Sequence, residues 1–186
     1  VLYLRARSFA LRLLALAQPS LAETLTQGGQ PSGDALRAVD EDSLPGLFWA
    51  ANAWGAAINA SKDKPEMLAE LPIVQALMER CVEIDERFFF GGPHLVLGAL
   101  AAGLPQALGG NTAKAKEHFE KAMAITEGKH LMTTVLYAKT ALVQAVNRQA
   151  YETTLSAVLN ANPDIDPTLA LANRLGLWVA GLTVSP

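Results

Sequence analysis

The sequence predicts an all-α fold of about four helical hairpins, with a C-terminal helix that covers the end of the stack. Of the 186 residues, 51% are hydrophobic but only 6% aromatic, so Ala, Leu and Val must supply most of the core, which suits close-packed helices. Apolar residues recur at helical spacing rather than in alternation. The spacing also repeats, since Val74, Met78, Cys81 and Ile84 match Ala115, Phe119, Ala122 and Ile125.

The clearest hairpin lies between Phe88 and Glu127. Gly91 and Gly92 supply a sharp turn before Pro93, which suits the first turn of a helix because its missing N–H costs nothing there. Pro105 and the glycines that follow it end this helix, and Asn111 or Thr112 caps the next one.

This hairpin carries fragments of a tetratricopeptide repeat (TPR) signature. The fragments are Leu97-Gly98 in the first helix and Ala115-x3-Phe119-x2-Ala122 in the second, joined by a longer loop than ordinary repeats have. Trp54-Gly55 stands before the neighbouring repeat in the same way. We therefore predict degenerate TPR-like hairpins in a single domain over 1–186.

The remaining helices follow from periodicity and from start and stop residues. Ser20 to Glu23 has the spacing of a capping box, and Asp166-Pro167 is typical of a helix start. In the terminal helix, the apolar positions are Leu169, Ala172, Leu175, Trp178 and Leu182. The patterns predict helices over 1–17, 20–27, 34–39, 44–60, 72–86, 93–104, 112–127, 129–146, 148–160 and 167–182.

Composition and motifs disfavour several classes of function. The net charge of −3 and the lack of a basic stripe disfavour nucleic-acid binding, and Arg5, Arg7 and Arg12 are interpreted as the solvated face of the first helix. The single cysteine, Cys81, occupies an apolar repeat position and is expected to be buried and inert. The sequence contains no catalytic motif, no metal-ligand spacing among its three histidines and no cofactor signature, so we expect neither an enzyme nor a metal site.

Polar and aromatic residues set among apolar helices are the candidates for binding. The small residues Ala50, Ala51, Ala53, Gly98, Ala101 and Ala102 lie where bulky side chains would fill a core, which favours an apolar cavity; tight helix packing is the alternative. The ligand would be hydrophobic with one polar end, and Arg174 would meet a carboxylate if it faces inward. The candidate cavity residues are Asn52, Trp54, Phe90, His94, Tyr137, Asn173 and Arg174.

Three segments together carry a family resemblance over nearly the whole chain. They are SLPGLFWAANAWG, the block GGPH…LG…P…LGG…KAKEHFEKA, and LALANRLG. In this order they resemble the T-component (TatT) family associated with tripartite ATP-independent periplasmic (TRAP) transporters. The residues of this chain that match the central motif are Gly91, Gly92, Pro93, His94, Gly98, Gly109 and Gly110.

The resemblance implies a non-enzymatic, TPR-like periplasmic lipoprotein that associates with a solute-binding protein and forms a homo-oligomer, a trimer. The family's lipid-attachment cysteine is not in this sequence, and Cys81 cannot replace it because it lies within a helix. The start at Val1, already within a helical pattern, is interpreted as processed or truncated. The alternative is a TPR-like scaffold that binds proteins without a small-molecule ligand.

Overall fold

The structure, a computed structural model, describes residues 2–61, 63–104 and 109–184. Most of the described residues lie in helices and none lies in a strand, which confirms the all-α prediction. Val1, the predicted first residue of the opening helix, and Pro105, a predicted helix stop, lie outside the described residues. The chain forms two compact units, 1–88 and 89–186. The single domain over 1–186 and the TPR-like character of the hairpins stay predictions.

The first unit is organised around one buried apolar helix, α4. Its buried residues include Leu47, Ala50, Ala51 and Trp54, and α1 and α6 pack against it. Helix α1 packs mainly against α4, although α2 and α3 lie between these two helices in the sequence. The helices of this unit are α1 (Leu2–Leu14), α2 (Pro19–Thr26), α3 (Gly33–Arg37), α4 (Leu44–Asn59), α5 (Pro65–Leu68) and α6 (Leu71–Asp85).

Prolines mark the start of four of these helices. Pro19, Pro45, Pro65 and Pro72 occupy the first turn of α2, α4, α5 and α6, where no intrahelical partner is needed for the missing N–H. The predicted capping box at Ser20 is wrong. Ser20 already lies inside α2, because Pro19 starts the helix one residue earlier.

The second unit begins with a turn in the left-handed region. Phe89, Phe90 and Gly91 have φ values of 46°, 62° and 75°. The regular part of α7 therefore begins after Gly91, as the sequence predicts. The helices of this unit are α7 (Phe88–Gly103, of which Phe88 ends the first unit), α8 (Thr112–Ile125), α9 (Leu131–Tyr137), α10 (Arg148–Leu159) and α11 (Ala170–Val184).

Helix α9 continues into a π-helical segment, Ala138–Leu142. The predicted apolar face of this stretch is confirmed at Leu131, Val135, Ala138 and Leu142, which are buried, but Ala145 is exposed. Helices α10 and α11 pack against this stretch. The side chains that form its core are Leu131, Val135, Ala138, Leu142, Leu155, Val158 and Ala180.

The terminal helix starts later than predicted and turns a different face inward. Asp166 Oδ1 accepts hydrogen bonds from the backbone N–H and the hydroxyl of Thr168, which closes a turn before α11 begins at Ala170. Leu175, Trp178 and Leu182, predicted to cover the stack, are 49%, 63% and 62% exposed. Asn173 is buried instead, because its amide binds three backbone groups.

Candidate functional site

Two of the candidate residues lie on α4 in the first unit. Trp54 is fully buried, and its indole N–H donates a 2.5 Å hydrogen bond to Glu70 Oε2. The guanidinium of Arg7 lies 4.3 Å from the centroid of the Trp54 ring, and its Nη1 is 3.6 Å from the same Glu70 oxygen. Asn52 is half-buried. Trp54 on α4 therefore contacts Arg7 on α1 and Glu70, the residue before α6. Its indole N–H has a hydrogen-bond partner.

His94 meets a histidine that sequence reasoning did not connect with it. His94 is buried near the start of α7, and its Nδ1 lies 2.9 Å from Nδ1 of His118 on α8. At this distance one ring donates the hydrogen and the other accepts it. Both residues belong to the same motif block in the sequence, but only the packing of α7 on α8 shows that they pair.

Phe90 and Tyr137 lie against other aromatic rings of the second unit. The Phe90 ring is 6.0 Å from the ring of His130, and the Tyr137 ring is 5.5 Å from that of Phe119. Tyr137 packs against both apolar clusters of this unit. Tyr137 is therefore part of the core packing, and Phe90, although partly exposed, is oriented by a neighbouring ring.

Asn173 fastens α11 to the start of α9. Its Oδ1 accepts from the Leu131 N–H at 2.9 Å, and its Nδ2 donates to the carbonyl oxygens of Lys129 at 2.9 Å and Pro163 at 3.1 Å. Arg174, the next residue, is exposed and forms a two-pronged ion pair with Asp164, at 2.9 and 2.7 Å. Arg174 therefore points toward solvent and not into the core.

The glycines of the motif allow α7 and α8 to approach closely. A Cβ at Gly98 would lie 3.0 Å from the Phe119 ring, and one at Gly91 would lie 3.2 Å from Ala122 Cα. Gly91 also has a positive φ, which side chains disfavour. Gly98 was one of the small residues that suggested a cavity. It instead allows α7 to pack tightly against Phe119 on α8.

A groove of about 420 Å³ lies between α1 and α2. Leu4 and Leu11 contribute its apolar part, while Arg7, Arg12 and Glu23 contribute charged groups. None of the seven candidate residues lines it. Leu4, at the groove, is 45% exposed.

An apolar stripe is exposed along α11 in the second unit. Leu171, Leu175, Trp178 and Leu182, here called the α11 face, follow each other at spacings of four, three and four residues. They are between 49% and 83% exposed. Together they present on the order of several hundred Å² of apolar surface, a size at which exposed patches mark interaction sites.

The model of the TRAP transporter T-component family, TAtT, matches residues 1–178 of the chain. The chain belongs to this family. A T-component is an accessory of a TRAP transport system, and the family suggests a periplasmic protein. A comparison with curated proteins found no match.

Among the described residues, no helix is long and apolar enough to cross a membrane. Within the same ranges, no group of three or more His, Cys, Asp or Glu side chains is placed to hold a metal ion. Burial raises the pKa of the Cys81 thiol to about 12, so its thiolate is not formed near neutral pH.

Proposed function

We propose that this T-component docks a periplasmic solute-binding protein of its TRAP system. The α11 face supports the proposal, because a soluble partner with a complementary apolar patch would remove Leu171 and Trp178 from water. The large aromatic ring of Trp178 is of the kind that dominates the energy of protein interfaces.

The test is a pull-down from a native envelope fraction with the purified T-component, followed by identification of the captured proteins by mass spectrometry. We expect peptides of an extracytoplasmic solute-binding protein, and we expect Trp178→Glu to lose it while Trp49→Glu, also at a partly exposed tryptophan, retains it. Recovery of cytoplasmic proteins alone would contradict the proposal.

The same proposal extends to location and assembly. The family resemblance supports lipid anchoring of the full-length protein in the periplasm and association into a homotrimer. Sedimentation equilibrium of the purified protein tests the trimer directly, and a mass of one protomer at all concentrations would contradict it.

We also propose that the protein holds or passes a hydrophobic ligand. The ligand would contact the candidate cavity residues of the first unit, Asn52 and Trp54, of which Trp54 reports best because it is fully buried. A variant with Trp49→Phe and Trp178→Phe leaves Trp54 as the single tryptophan. We expect palmitate to change its fluorescence saturably. The absence of a saturable change, with no small molecule retained in native mass spectrometry, would contradict ligand binding.

Two observations favour the alternative, a TPR-like scaffold without a small-molecule ligand. The Phe119 ring occupies the space next to Gly98. The side-chain amide of Asn173 forms its hydrogen bonds with backbone groups of the protein. Under this alternative the pull-down recovers only cytoplasmic partners, and palmitate causes no saturable change in fluorescence.

A further inference from the structure

Helix α1 carries a second apolar face, on the side away from the core. The α1 seam is defined here as Leu2, Ala6, Phe9 and Leu13 on the helix, with Leu16 in the turn that follows it. These residues follow each other at spacings of four, three, four and three. All five are exposed, from 48% at Leu13 to 83% at Leu16 among the four large side chains. The face of α1 that packs against the core is formed by Ala10, Leu11 and Leu14.

The seam is narrow. At 3.6 residues per turn, its four positions on the helix fall within about 60° of arc. This spacing averages 3.5 residues, which is the repeat that a single partner helix buries by inserting side chains between those of the seam. An amphipathic helix on a surface typically presents an apolar stripe about 100° wide or wider, whereas a stripe confined to a and d positions is the narrower seam of paired helices. The narrow seam therefore favours one helix over a lipid surface.

The charge beside the seam is entirely positive. Arg5 and Arg12, seven residues apart, border it on one side, and Tyr3, Ala10 and Ala17 border the other. No carboxylate among the described residues lies within ion-pair distance of Arg5 or Arg12, whereas Arg7 is engaged by Glu70. The sequence of α1 contains no Asp or Glu.

These positions define the chemistry of the partner. In heptad terms the seam residues are the a and d positions, and Arg5 and Arg12 are both g positions, which face the flanking residues of a paired helix. We propose that the α1 seam binds an amphipathic helix of a separate protein, with Asp or Glu beside its apolar stripe. The contact is distinct from the α11 face and adds a second partner site to the protein.

The test uses two fluorescein-labelled synthetic helical peptides with the same apolar a and d residues. One carries Glu and the other Lys at its flanking positions, and fluorescence anisotropy measures binding to the full chain. At low salt we expect the Glu peptide to bind at least tenfold more tightly than the Lys peptide. This preference should shrink in high salt, because the charges are exposed.

Variants assign the binding to the seam. Arg5→Glu with Arg12→Glu should reverse the preference between the peptides, and Leu13→Glu should weaken both at least tenfold. Leu171→Glu on the α11 face is the matched control and should change neither. Leu13 and the two arginines are exposed, so these variants are expected to fold, and circular dichroism checks that they do.

Four results would overturn the proposal. They are equal affinity for the two peptides, binding that Leu13→Glu does not weaken, and self-association through the seam without peptide binding. The fourth is binding to phosphatidylglycerol vesicles but not to the peptides, which would identify α1 as a membrane-surface helix.

Discussion

At the scale of single residues, the buried amide of Asn173 makes the sharpest prediction about stability. Asn173→Ala leaves the Leu131 N–H and the carbonyls of Lys129 and Pro163 without their partner, so we expect a loss of about 2–4 kcal/mol in the free energy of unfolding. Urea denaturation measures this change. The control is Asn160→Ala, at an exposed residue, with an expected effect of about 0.5 kcal/mol or less. Equal effects in the two variants would contradict the assigned role.

The buried imidazole of His130 predicts how stability depends on pH. Desolvation by burial lowers its pKa in the folded protein, whereas in the unfolded chain the imidazole takes up a proton below about pH 6.5. The stabilising contribution is therefore full above about pH 6.5 and is lost as the pH falls below it.

We expect the free energy of unfolding to decrease between pH 7 and pH 5, and to decrease less in His130→Gln. Urea denaturation at a series of pH values is the measurement. An identical pH dependence in the variant and the wild-type protein would assign the effect to other groups.

At the scale of elements, the α7–α8 hairpin depends on close approach at Gly91. A Cβ there meets both an unfavourable φ and the backbone of Ala122, so Gly91→Ala should cost about 2–4 kcal/mol. Gly128 has a similar φ but nothing within 4 Å of an added Cβ, so Gly128→Ala should cost only about 1 kcal/mol. Thermal and urea denaturation compare the two variants. Equal costs would mean that the contact with α8 is unimportant.

Sequence periodicity predicted most helices because their starts and stops have local causes. Pro72 and the Asn111 cap act on their own backbone neighbours, so α6 and α8 could be placed within a few residues. The face of α11 was wrong, because counting apolar residues assigns Leu175 and Trp178 to the core. A single buried amide with three backbone partners, Asn173, determines the orientation instead.

At the scale of the whole molecule, the candidate site was the least predictable part. Within each compact unit, the candidate residues have partners from distant stretches of chain, as Glu70 is for Trp54 and His118 is for His94. Spacing along a helix cannot reveal such partners. The family, in contrast, was predictable, because its motif is carried by local glycines and prolines such as Gly91 and Pro93.

In the proposed docking role, the exposed face of α11 supplies the free energy of binding to the solute-binding protein. The most direct measurement is isothermal titration calorimetry between this protein and the purified solute-binding protein of the same TRAP system. We expect a dissociation constant of about 1 µM or tighter for the wild type. We expect Leu171→Glu with Trp178→Glu to bind at least tenfold more weakly, and Leu13→Glu to bind as the wild type does. No binding by the wild-type protein would contradict the docking function, and unchanged binding by the double variant would contradict the α11 face as its site.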